Sequence, residues 1–339
     1  MLSFLCCLGK KKRRRNEKEP KTSFFVTLSH HSRFDLALAS SRALVGKPVA
    51  EEFNVTGMDP KFTFEAVEAG DIPNHPKAKD IDVWVLALPN GLAPNWVSPL
   101  EAVGKHANNG TGAVLIDLGA DFRFTDDWTY GLPERKGARE KIKGTRRIAN
   151  PGCYATGAQI GLLPLFHNKL ISDVPTVFGL SGYSGAGTSP SEKNDPLVLR
   201  DNILPYGLVN HMHEREVSRH CGSRVAFMPH VAPYFQGIAI TLSAHLNQDF
   251  ASSKEIMKIF EDYYQGEPLI KVSETFPRVR DNMSQHFVAV GGFTWDPKSR
   301  RLAMHATIDN LLKGAATQAL QNLNLALGFE EFDGIDLQK

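Results

Sequence analysis

Three short apolar runs constrain the fold more than any other feature: "FDLALASSR" (Phe34–Arg42), "DVWVLALPNG" (Asp82–Gly91) and "TGAVLIDLGADFR" (Thr111–Arg123). Each closes in a polar turn, and amphipathic stretches of helical character separate them. A continuous apolar run of this length is what a strand needs when both of its faces are covered, as in a parallel sheet. The spacing predicts an α/β fold, a doubly wound Rossmann-like sheet. Ligands of such sheets sit at the carboxyl ends of the strands, here Ser40–Arg42, Pro89–Gly91 and Gly119–Arg123.

After Cys153 the rhythm changes. "TVFGLSGYSGAG", "SRVAFMPHV", "GIAITLSAHL" and "QHFVAVGGFTWD" follow one another as strands, with a helix at "SKEIMKIFEDYY". Consecutive strands without regular helices between them predict an α+β domain inserted into the first. The final "DNLLKGAATQALQNLNLALGF" has apolar residues at helical spacing and reads as one long helix returning to the nucleotide domain. The expected domains are a leader at 1–23, a nucleotide-binding domain at 24–152 plus 309–339, and an α+β domain at 153–308. A chain of 339 residues has the length for two domains.

Composition narrows the function. The formal charge of +2 is nearly balanced, and much of the positive excess lies in "KKKRRR", Lys10–Arg15, so a general nucleic-acid surface is not indicated. No apolar run approaches the roughly 18 residues that would span a bilayer. Only four cysteines are present, and they form no disulfide framework. A small-molecule substrate is the default. The start, "MLSFLCCLG" before the basic block, fits neither a secretory signal nor a clear transit peptide; a nuclear-localisation run or lipidated Cys6 and Cys7 are the weaker alternatives.

Four segments carry chemistry. In "NPGCYATGAQIGLLPL" a turn leads into a helix whose first turn holds Cys153, where free backbone N–H groups favour a thiolate; the alternative is a small buried apolar residue. "NHMHEREVSRH" offers His211, His213, Glu216 and His220 as proton-transfer partners, the His-Met-His pair on an extended segment with both rings on one face and Glu216 orienting one. A metal site is the rival use of these histidines, but no Cys or Asp cluster at ligand spacing completes it. "LSGYSGAGTSP", with Gly182, Ser184, Gly185 and Gly187, lets a ligand approach the backbone closely. In "ASSR", Ser41 and Arg42 stand where a dinucleotide fold reads the ribose, and an arginine there suits the 2′-phosphate of NADP.

One element is missing. No G-x-G-x-x-G turn precedes "FDLALASSR", and "TSFFVTLSHHSR" reads as the end of a first helix. The central strand and phosphate cradle are therefore expected to be absent, unless "LSFLCCLG" serves as the strand with Gly9 in its turn.

The segments "SSRALVGKPV", "DVWVLALPNG", "IDLGADFRF", "NPGCYATGAQIGLLPL", "LSGYSGAGTSP", "HMHEREVS", "FMPHVAPYFQGI" and "DNLLKGAATQALQNLNLALG" together resemble the N-acetyl-gamma-glutamyl-phosphate reductases, most of all the fungal mitochondrial type. The resemblance implies NADP-dependent reduction of N-acetylglutamyl 5-phosphate to the 5-semialdehyde in arginine biosynthesis, through a thioester on Cys153, in a homo-oligomer. It adds catalysis and dimerisation to the α+β domain at 153–308, and implies His213 as general acid/base with His211 second and Glu216 as orienter. Ser41, Arg42, Pro89, Gly182, Ser184, Gly185 and Asn310 would lie against the cofactor, and Arg123 would be a substrate anion contact or a structural ion pair. The family's opening Gly-x-x-Gly-Tyr-Thr-Gly segment is absent, which reads as a wrong first exon or a truncated product. The remaining rivals are a non-catalytic homologue, a Cys–His hydrolase and an aspartyl-phosphate reductase. Mitochondrial localisation follows from the resemblance alone.

Overall fold

The computed structural model describes residues 2–8, 28, 31–53, 59–103, 112–187 and 190–338. The chain divides into two compact units, Met1–Pro151 with Ala315–Asp336, and Gly152–Gly314 with Leu337–Lys339.

The first unit is built on six strands: β1 (Leu2–Leu8), β2 (Phe34–Ser41), β3 (Val83–Leu86), β4 (Val114–Asp117), β5 (Thr129–Tyr130) and β6 (Arg147–Ala149). Their order is β2-β1-β3-β4-β6-β5, and every pairing is parallel. The first three apolar runs of the sequence thus supply β2, β3 and β4. The expectation of a missing central strand is corrected: Leu2–Leu8 occupies that place, pairing Leu5 with Leu38 on one side and Trp84 on the other. Two neighbours supply ladder partners to both edges of this segment, a non-local gain that its own sequence does not advertise. Gly9, the basic run and most of "TSFFVTLSHHSR" lie outside the described residues.

Alternate residues of β3 and β4 feed two cores. Trp84, Leu86 and Leu115 pack with Trp96 and Leu100, whereas Val83, Val85, Val114 and Ile116 pack with Ala319 and Leu323 of the returning helix, Thr317–Leu327. This is why both strands read as unbroken apolar runs. Helices α1 (Val49–Phe53), α2 (Pro94–Glu101) and α3 (Ala138–Ile142) complete the described helices of this unit beside 3₁₀ turns. The chain passes from β2 across β1 to β3, so the switch in winding direction lies at the carboxyl ends of β1 and β3.

The second unit holds a seven-stranded mixed sheet of order β11-β12-β13-β10-β7-β9-β8. Its strands are β7 (Thr176–Gly182), β8 (Leu204–Pro205), β9 (Ala226–Ala232), β10 (Ile238–His245), β11 (Ile270–Ser273), β12 (Val288–Asp296) and β13 (Arg301–Ile308). The helices are α4 (Cys153–His167), α5 (Pro196–Leu199), α6 (Met212–Cys221), α7 (Ser253–Tyr263) and α8 (Val279–Asn282). In β10 the buried residues Ile238, Ile240, Leu242 and Ala244 alternate along the strand and face α4. A Cβ at Gly157 or Gly161 of α4 would overlap Ile240 or Leu242, so glycine at these positions lets the helix press onto the sheet. The opposite face carries Phe178, Leu180, Met228 and Ala239, all half-buried. Among the described residues, no helix is long and apolar enough to cross a membrane.

Candidate active site

Cys153 is the first residue of the 15-residue helix α4, half-buried and in no disulfide. Gly152 caps the helix in extended conformation, its carbonyl accepting from the Thr156 N–H at 2.8 Å and the Thr156 hydroxyl at 3.0 Å. Its own N–H donates to Oε1 of Glu216 at 2.8 Å. Glu216 is fully buried on α6, so a carboxylate from a distant helix fixes the turn that presents the thiol. Beneath the thiol runs Gly314, where a Cβ would stand 2.7 Å from Cys153 Cβ and 3.0 Å from the Asp309 carbonyl. Only a residue without a side chain permits that approach. Gly314 belongs to a π-turn, Leu312–Ala316, which opens the last helical stretch in place of the regular helix expected there.

The histidine segment is not extended. His211 is the N-cap of α6 and Met212 starts the helix, because Asn210 (φ 57°) turns the chain and its N–H donates to Glu214 Oε1 at 2.9 Å. The other Glu214 oxygen accepts from the Phe227 N–H at 3.0 Å, tying the helix start to β9. The rings still meet: His211 Nδ1 accepts from the His213 N–H at 3.2 Å, and the ring centroids are 5.1 Å apart. Helix capping, not strand alternation, brings them together. His213 packs on Tyr154 at 5.7 Å between centroids, and the Tyr154 hydroxyl donates to the His230 carbonyl at 2.7 Å. Burial holds the His211 pKa below its ordinary value; Glu214 opposes this, while Lys193 and Arg215 add to it. A neutral ring whose Nδ1 accepts carries its proton on Nε2.

The glycine loop and Asn310 come together. The Asn310 amide donates to Ser184 Oγ at 2.9 Å, and its oxygen accepts from the Gly237 N–H at 2.7 Å. Gly182 donates to the Gly237 carbonyl at 2.8 Å; Gly185 and Gly187 follow in the same turn, and Thr188 and Ser189 lie outside the described residues. Sequence reasoning missed Asp309, fully buried next to Asn310. It accepts from the amides of Leu311 (2.8 Å), Leu312 (3.0 Å) and Ser284 (2.6 Å) and from Gln236. It also missed Tyr206, whose ring meets that of His211, and Lys193, whose Nζ stands over the Tyr206 ring; no local pattern marks either.

The remaining candidates belong to the first unit. Ser41, at the end of β2, is 1% exposed and its hydroxyl has no partner among the described residues. Arg42 is exposed and forks onto Glu68, with Nε 2.7 Å from Oε1 and Nη2 2.5 Å from Oε2. Pro89 is exposed after β3, and the loops behind β3 and β4 are laced together: Asp121 accepts from Gly91 and Ala93, and Asn90 from Ala120. Arg123 is buried and donates to the carbonyls of Asn150 (2.9 Å) and Leu118 (3.2 Å), so it braces the loop after β4 against the turn before Gly152. An orphaned buried hydroxyl and an exposed guanidinium at the β2 end, next to the winding switch, fit the ribose end of a dinucleotide. Among the described residues no group of three or more His, Cys, Asp or Glu is placed to hold a metal.

Residues 22–145 match the semialdehyde dehydrogenase NAD binding domain and residues 153–310 the semialdehyde dehydrogenase dimerisation domain. The N-acetyl-gamma-glutamyl-phosphate reductase of Xanthomonas campestris pv. campestris (strain B100) is 46% identical over 308 residues, covering 91% of this chain and 92% of its own length. The chain belongs to the N-acetyl-gamma-glutamyl-phosphate reductase family. Protein arg-6, mitochondrial, of Neurospora crassa is 48% identical over 310 residues, but the matched region is only 34% of its length. This reductase-family chain thus spans about a third of the fungal relatives it matches. Solved aspartate semialdehyde dehydrogenases share its fold: one from Vibrio cholerae has a TM-score of 0.73 at 18% identity, covering 96% of this chain and 98% of that one. Another, from Candida albicans and solved with NADP, has a TM-score of 0.67 at 16% identity, covering 97% and 99%.

Proposed function

We propose that the protein reduces N-acetyl-L-glutamyl 5-phosphate to N-acetyl-L-glutamate 5-semialdehyde and phosphate. The observation that carries this is Cys153 in the first turn of α4, its turn fixed by buried Glu216 on the same short helix that His211 begins and His213 shares. In the proposed course the Cys153 thiolate attacks the acyl carbon, phosphate departs, and a thioester remains. Reduced NADP, if held by Ser41, Arg42 and the glycine turn, would supply the hydride needed to take the thioester to the thiohemiacetal. Return of the C–S bond electrons to sulfur releases the aldehyde, and splitting it into attack and collapse replaces one hard step by two easier ones.

The histidines divide the proton traffic. His211, with Nδ1 occupied by the His213 amide, offers an Nε2–H as donor, which leaves His213 as the general acid/base. Ser41 and Arg42 are the residues for the 2′-phosphate. The Arg42–Glu68 pair is exposed, and such pairs exchange partners readily. In the first unit Pro89, and in the second the Gly182–Gly185 turn with Asn310, are further candidates for cofactor contact. The half-buried sheet face bearing Phe178, Leu180 and Met228 is the surface for a second copy, in keeping with the dimerisation-domain match. Residence in mitochondria is proposed from the fungal relatives that carry that word in their names.

The test is NADPH formation by the purified protein given the semialdehyde, phosphate and NADP. Turnover that vanishes in Cys153→Ala is the expected result; turnover independent of Cys153, or none in a folded protein, overturns the reading.

A further inference from the structure

Lys193 sits on a short 3₁₀ turn, Glu192–Asn194, and is half-buried, whereas Ser191 and Glu192 before it are exposed. The turn is pinned: Asn194 accepts from the Ser191 N–H at 2.9 Å and donates to the Gly187 carbonyl at 3.0 Å. Asp195 then caps α5, accepting from the Leu197 N–H at 2.9 Å. Lys193 Nζ lies 4.8 Å from the centroid of the Tyr206 ring. Among the described residues no carboxylate stands within ion-pair reach of it. A half-buried ammonium held on an aromatic face without a counter-charge is a place prepared for an anion.

Its neighbours say which anion. Tyr206 meets His211 edge to face, 5.3 Å between centroids, and its N–H donates to the Pro229 carbonyl at 3.2 Å, so the ring is anchored to β9. Burial first, and the charge of Cys153 second, raise the Tyr206 pKa. The same ring therefore borders Lys193, His211 and the electrostatic reach of Cys153. The backbone at Gly207, next in the chain, also comes close to His211: a Cβ there would stand 3.0 Å from His211 Cδ2. The geometry points to Lys193, seated on Tyr206, as the anion subsite of the thiol centre, holding an anionic oxygen group of the substrate. Under the proposed function that group is the departing phosphate or the α-carboxylate. The exposed Lys254, by contrast, is paired with Glu274, as a lysine that only solubilises the surface would be.

The experiment compares alkylation of Cys153 by iodoacetate, an anion, and iodoacetamide, its neutral analogue, followed on the Cys153 peptide by mass spectrometry. It needs no turnover, so it fails or succeeds apart from the reductase reading. Wild-type protein at low salt should favour iodoacetate, and Lys193→Met should lower the iodoacetate-to-iodoacetamide ratio by about fivefold or more while the iodoacetamide rate stays at wild type. Lys193→Arg should restore the ratio, and added salt should erode it in the wild type without any mutation. Protection by inorganic phosphate assigns the subsite to the leaving group; protection by N-acetylglutamine, which carries only the α-carboxylate, assigns it to the substrate backbone. A ratio unchanged in Lys193→Met and insensitive to salt in the wild type overturns the inference.

Discussion

Replacing Asp117 by asparagine should change how stability depends on pH, and the size of the change follows from where the carboxyl sits. Asp117 ends β4 fully buried; Oδ1 accepts from the Gly119 N–H at 2.9 Å, while Oδ2 has no partner among the described residues. Burial pushes its pKa from 3.8 up to about 6; the amides of Gly119 and Phe122 and the charge of Arg123 pull it down, and Asp121 pushes it further up. The folded protein therefore keeps this proton to about pH 6, whereas the unfolded chain releases it near 3.8. Its contribution is complete below pH 3.8 and is lost as pH rises through 6. A gap of about two pH units, at roughly 1.4 kcal/mol each, makes the loss at most about 3 kcal/mol. Asparagine does not titrate, so the stability of Asp117→Asn minus that of the wild type should rise by up to about 3 kcal/mol between pH 4 and pH 7. Any constant penalty from the amide's second group cancels in that comparison. Urea unfolding followed by tryptophan fluorescence suits the measurement, since three of the four tryptophans, Trp84, Trp96 and Trp128, lie in the same unit as Asp117. A difference that stays flat with pH would refute the reasoning, because the carboxyl would then be ionised in the fold as it is in water.

Glu216→Ala should leave the Gly152 N–H without its acceptor, costing about 1–3 kcal/mol in urea unfolding and slowing Cys153 alkylation, while Glu216→Gln, which keeps an acceptor oxygen, should lose less. Gly314→Ala drives a methyl into Cys153 and the Asp309 carbonyl, and should cost about 1–3 kcal/mol and depress turnover more than substrate affinity. Arg42→Ala should raise the KM for NADP and leave that for NAD unchanged; equal effects on both would remove Arg42 from the 2′-phosphate.

Local pattern made much of the scaffold legible. The runs at Val83–Leu86 and Val114–Asp117 read as strands because both of their faces are covered, and Cys153 reads as the start of a helix because Asn-Pro-Gly cannot continue one. The helix at Ser253–Tyr263 announced itself by the spacing of Ile256, Phe260 and Tyr263. The His-Met-His segment misled because alternation in three residues suits a strand, whereas the cap made by Asn210 and Glu214 decides for a helix. Leu2–Leu8 stood only as the alternative to a missing strand for a related reason: what makes it a strand is pairing with Phe34–Ser41 and Val83–Val85, far along the chain.

The sequence by itself determined the family and the α/β class, and it nominated Cys153 and the nearby histidines as candidates for the chemistry. Residue order and type are enough where the cause is local, as in apolar period, turn residues and a helix start. Only the tertiary structure decided what surrounds those groups. It set the Glu216 carboxylate on the Gly152 amide, Gly314 under the thiol, Lys193 on the Tyr206 ring, and one Asp117 oxygen unpartnered in the core. Each of these joins segments that share no local pattern, and contact and burial between remote segments exist only once the chain has closed on itself.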